Sequence, residues 1–88
     1  MKIKDGFVLE EVGGSYIAVA LGKSADDFHG FVRMNSTGAF LWRALCDGVD
    51  TKEELVSLLL NTYSVSRDVA ESDVDTLVNK LIDAGIIE

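Results

Sequence analysis

The stretch from Met34 to Gly48, MNSTGAFLWRALCDG, sets the plan of this chain. Upstream of it, apolar residues come in short blocks of the kind that strands use. Downstream, they recur every three or four residues, the helical period. Asn35 or Ser36 can accept a hydrogen bond from a free N–H of the first helical turn, so either suits an N-cap. Ala39, Phe40, Leu41, Trp42, Ala44 and Leu45 then form an apolar body too dense for a lone surface helix. Asp47-Gly48 ends it, because glycine takes the left-handed C-terminal conformation without a Cβ clash. One segment thus joins a sheet half to a helix half and carries Trp42, the largest side chain of the expected core.

The sheet half reads as three strands. Phe7–Val12 is the first, and Gly13-Gly14 suits a two-residue hairpin with positive φ. Ser15–Leu21 is the second, with Tyr16, Ala18 and Ala20 on one face and Ile17, Val19 and Leu21 on the other. A strand apolar on both faces is central or covered on both sides. Residues 22–30 form a loop. Phe31–Met34 is a short third strand, with Phe31 and Arg33 on one face and Val32 and Met34 on the other. Short connections favour an antiparallel meander.

The helix half continues with Asp50 or Thr51 as a cap, and Thr51-Lys52-Glu53-Glu54 has the spacing of a capping box. Leu55, Leu58, Leu59 and Thr62 follow the helical period, widened by Val56, Leu60 and Tyr63. Ser66 starts a third helix that runs to about Ala84, with Gly85 as its stop. Ala70, Val74, Leu77, Leu81 and Ala84 mark its apolar stripe, and Val78 and Ile82 extend it to one side. Asp68, Glu71, Asp73, Asp75 and Asp83 cover most of the rest. Ile86-Ile87 are expected to return to the core. The expectation is one α+β domain over residues 1–88: a three-stranded antiparallel sheet followed by three helices.

Charge and chemistry narrow the function. The net charge is −7. Residues 36–88 carry four basic and ten acidic side chains, against four and five in residues 1–35. Such a helical half repels phosphate backbones, which argues against nucleic acid as a partner. No apolar run approaches the roughly 20 residues needed to span a bilayer, and the N-terminus lacks the apolar core of a signal peptide. Cys46 is the single cysteine, so no intrachain disulfide can form, and the expected location is the cytoplasm. Cys46 lacks a histidine activator and is expected to be a buried, inert thiol. His29 reads as a solvated loop residue, and Asp26-Asp27 as part of a solvated surface. The glycines do not make a phosphate loop. No catalytic, metal or cofactor set emerges, so a binding module is the natural reading. The arc of Val78 and Ile82 either packs on the first two helices or partly lines a peptide groove. The short third strand, as a sheet edge, would offer free N–H and C=O groups to an incoming chain.

Val32-Arg33-Met34-Asn35-Ser36-Thr37-Gly38-Ala39, leading into Leu41-Trp42 and Leu45-Cys46-Asp47-Gly48, resembles the PqqD-like family of peptide chaperones and precursor-peptide recognition elements. Thr51–Leu55, and Asp73-Val74 with Leu77, Leu81 and Ala84–Ile87, resemble the same pattern. The resemblance implies a winged-helix-like domain that is not itself an enzyme. It would bind the leader of a ribosomally made precursor peptide as an antiparallel strand and present it to a modifying enzyme, often a radical-SAM maturase. By position, the strand contribution falls on Phe31, Val32, Arg33 and Met34, and the helix contribution among Val74, Leu77, Val78 and Leu81. The competing readings are a winged-helix DNA-binding regulator and a homodimer paired through the edge strand. The third helix, with two basic and five acidic side chains between Arg67 and Asp83, disfavours the regulator.

Overall fold

A computed structural model describes residues 1–22 and 31–87. Strands β1 (Phe7–Val12), β2 (Ser15–Ala20) and β3 (Val32–Met34) precede helices α1 (Ser36–Cys46), α2 (Lys52–Thr62) and α3 (Arg67–Asp83). The fold is α+β, and the sheet is an antiparallel meander in the order β1-β2-β3.

The local chemistry accounts for these elements. Gly13 and Gly14 both have positive φ, +57° and +82°, which matches the right-handed twist of the β1–β2 hairpin. Pairing brings Val12 opposite Ser15 and Phe7 opposite Ala20. β2 is the central strand, as its two apolar faces imply. β3 pairs Ala18 with Val32 and Tyr16 with Met34, which turns Val32 and Met34 into the core and leaves Arg33 outside. The ladder begins at Val32, and Phe31 precedes it with its side chain 56% exposed.

Each helix starts on a side-chain oxygen. Asn35 Oδ1 accepts from Gly38 N–H at 2.9 Å, Thr51 Oγ1 from Glu54 N–H at 3.2 Å, and Ser66 Oγ from Val69 N–H at 3.2 Å. In the expected capping box the Thr51 hydroxyl donates to Glu54 Oε1 at 3.0 Å. α1 and α3 end in the same glycine turn. Gly48 N–H donates to the Leu45 carbonyl and Val49 N–H to the Ala44 carbonyl; Gly85 and Ile86 repeat this with Ile82 and Leu81. The second turn drives Ile86 into the core, fully buried. Ile87 bridges to Ile3, and Lys4 N–H donates to the Ile86 carbonyl at 2.8 Å, so the two ends of the chain lie together.

The core joins Ala18, Val32 and Met34 of the sheet to Leu41, Trp42 and Leu45 of α1, Leu55, Val56 and Leu59 of α2, and the inner stripe of α3. Two expectations are corrected. Cys46 is exposed, because α1 buries Leu41, Trp42, Ala44 and Leu45 and turns positions 43 and 46 outward. Partial desolvation, with Asp47 beside it, still raises the thiol pKa, so it is not activated. The second concerns the arc of α3, which splits: Val78 is fully buried whereas Ile82 is 51% exposed. His29 and Asp26-Asp27 lie outside the described residues. Among the described residues no helix is long and apolar enough to cross a membrane.

Trp42 is buried inside the cluster. Trp42→Ala is expected to destabilise by about 3–5 kcal/mol, a large share of a small domain's stability. A thermal melt within a degree or two of wild type would contradict its role in the core.

Candidate peptide-binding site

Among the described residues β1 and β3 are the outer strands of the sheet, and their edges differ. The β1 edge carries Glu10, Glu11 and Val12, all exposed. The β3 edge lies beside both α1 and α3. Between β3 and the helices is a cleft of about 120 Å³, lined by Met34, Asn35, Thr37, Gly38, Asp73, Thr76, Leu77 and Lys80. β3 supplies one wall, the first turn of α1 the end, and α3 the other wall.

The corner between β3 and α1 shapes this cleft. Gly38 is buried, and a Cβ built on it would stand 2.8 Å from Met34 Cβ. Only glycine lets the helix start that close to the strand. The Asn35 cap holds the same turn from the other side.

Main-chain polarity along β3 identifies what the edge offers. In an antiparallel ladder both main-chain groups of one residue point to the same side, and neighbouring residues alternate. The Arg33 carbonyl accepts from Lys80 Nζ at 2.9 Å, and Lys80 comes from α3. Arg33 therefore turns its N–H and C=O to the free edge, while Val32 and Met34 turn theirs to β2. Its guanidinium lies 5.9 Å from the centroid of the Phe31 ring on the outer face of the sheet.

The residues singled out in the sequence separate into layers. Phe31, Val32, Arg33 and Met34 form the edge strand and its entry. Leu77, 5% exposed, lines the cleft. Val74, Val78 and Leu81 have no exposed surface and form the packed layer behind Leu77. Thr76 and Lys80 line the cleft without having stood out in the sequence. Polar residues flanking a stripe carry no signal until the strand is docked, although Lys80 follows Leu77 at the i+3 spacing that shares a helix side.

Fold and cleft together define a small domain with a strand edge open for pairing beside a helix. The family model described as "Coenzyme PQQ synthesis protein D (PqqD)" matches residues 7–87, and the chain belongs to that family. No curated protein matches it. Two solved structures share the fold. One is TbiB1 in complex with the TbiA(beta) leader peptide, at 24% identity and TM-score 0.74, covering 100% of this chain and 95% of that one. The other is a lasso peptide synthetase B1 complexed with the leader peptide, at 20% identity and TM-score 0.74, covering 99% and 95%.

Gly38→Ala tests the corner. Alanine favours a helix interior by about 1 kcal/mol, but the clash is with a Cβ tied to the backbone, which cannot swing away. The expected net result is a loss of about 1–2 kcal/mol, read by chemical denaturation. A more stable variant would show that Met34 has room to retreat.

Proposed function

We propose that this protein binds the leader segment of a ribosomally made precursor peptide by strand addition at Phe31–Met34 and presents it to a modifying enzyme. The observation that carries this reading is the Arg33 main chain, turned to a free edge that opens on a cleft with an apolar wall at Leu77. Ladder bonds supply affinity for any sequence, and the cleft supplies preference for certain side chains. Val74, Val78 and Leu81 act from behind, by holding Leu77 in place. Membership of the PqqD family supports the reading, as do the leader-peptide complexes of two proteins with this fold.

The protein works without catalysis of its own. Membership of the PqqD family supports a binding role, and the Cys46 thiol, held above its usual pKa, is not activated. Chemistry then belongs to the enzyme that receives the leader, a radical-SAM maturase by family resemblance, and both partners meet in the cytoplasm. One added strand makes a small interface and orders a flexible peptide, so affinity on the order of micromolar is expected. Pairing of β3 with a second copy would use the same edge and would have to displace the same Lys80 ammonium from the Arg33 carbonyl.

Arg33→Pro is the direct test, because proline is tolerated at an edge position whose N–H faces outward. The variant is expected to keep its fold and to bind about ten- to a hundredfold more weakly, from the loss of the outward donor. The measurement is calorimetric titration with synthetic leaders from short reading frames beside its gene. Undiminished binding by a folded variant would rule out pairing at this edge.

A further inference from the structure

We propose that Lys80 selects peptides carrying a carboxylate two positions from the residue that packs on Leu77. The inference rests on the strand-addition reading and adds a chemical preference to it. It starts from a conflict: the Arg33 carbonyl is the acceptor that an incoming strand must use, and Lys80 Nζ already holds it at 2.9 Å. A peptide N–H that takes over this carbonyl pushes the ammonium aside. The displaced ammonium then lies against the peptide at the rim of the cleft, without its acceptor.

Among the described residues no carboxylate pairs with that ammonium; Asp83 follows it at i+3 on α3 and is the group a peptide carboxylate must outcompete. Among the described residues after Met34 there are four cationic side chains. Arg67 pairs with Glu53 and Glu71, Lys52 pairs with Asp75, and Arg43 lies over the Tyr16 ring. Lys80 has the Arg33 carbonyl. Asp73 also lines the cleft, but it stands seven residues earlier on α3, about 10 Å along the axis at the helical rise, at the far end from Lys80. The Arg33 guanidinium lies on the outer face with Phe31 and does not compete for a side chain directed at α3. A carboxylate is the group that restores a full partner to the ammonium.

Spacing fixes the position. Leu77 and Lys80 are three residues apart, about 4.5 Å along the helix. Same-face residues of a strand are two apart, about 6.7 Å. A peptide strand that runs along α3 with an apolar side chain on Leu77 therefore brings the next side chain on that face within reach of the Lys80 ammonium, which already extends to the β3 edge.

The probe is a displayed library of random dodecapeptides, selected in parallel on the wild-type protein and on Lys80→Met. Lys80 is on the surface, so the variant is expected to melt as wild type does. Selected peptides are then synthesised with the acid or its amide, Glu against Gln, and titrated into both proteins. Wild type is expected to enrich Asp or Glu two positions from an apolar residue and to bind the acid form about three- to tenfold more tightly, a difference that shrinks with salt. Lys80→Met should lose the enrichment and the difference, and Lys80→Arg should keep both. Acid-free wild-type binders, or a preference that survives in Lys80→Met, would overturn the proposal while leaving strand addition intact. Binders that fail to shift the Phe31–Met34 amides, or no binders at all, would remove the strand-addition reading and this proposal together.

Discussion

The approach of Gly38 to Met34 is the contact on which the site depends. A strand that leads straight into a helix must turn within a residue or two, and here the turn is tight enough that a Cβ on the helix would meet Met34 Cβ at 2.8 Å. The missing side chain lets α1 start against the strand, and the Asn35 side chain satisfies the Gly38 N–H that the turn leaves free. With the corner closed, Met34 enters the core beneath α3, and β3 is held beside that helix rather than splayed from it. Had the corner been wider, the edge of β3 would be an ordinary sheet edge with no wall facing it.

The same architecture keeps an exposed edge safe. A strand with free donors and acceptors invites pairing with other chains. β3 is only three residues long, and its outward carbonyl, that of Arg33, is held by a lysine from the facing helix. An ammonium that can swing away protects the edge reversibly, whereas a bulge or proline would abolish pairing. The acidic surface of the helices, with several of its carboxylates tied to Arg67 and Lys52, keeps the remainder of the molecule unattractive to polyanions.

Much of the architecture could be read from residue order. The caps at Asn35, Thr51 and Ser66, the glycine stops at 48 and 85, and the alternation of β3 are local signals, and local chemistry decides them. The return of Ile86 to the core followed from two isoleucines after a glycine stop. The site was only partly readable, because its cleft is made by packing. Val78 and Leu77 are adjacent and both apolar, yet one is wholly enclosed and the other looks onto the cleft, a distinction that exists only once β3 is packed beside α3. Cys46 defeated the pattern for a similar reason: its neighbours in sequence are buried, but the helix turns it away from them. Lys80 had no sequence signal, since its meaning comes from the Arg33 carbonyl, 47 residues away in the chain.

The central claim is that an incoming peptide takes up the outward main chain of Arg33. Amide hydrogen exchange at residue resolution reads this group directly. On saturation with leader peptide, the Arg33 amide should become strongly protected, while the amides of Phe7–Val12 keep their rates. Protection confined to the β1 edge or to α2, with Arg33 exchanging as fast as in the free protein, would contradict the account.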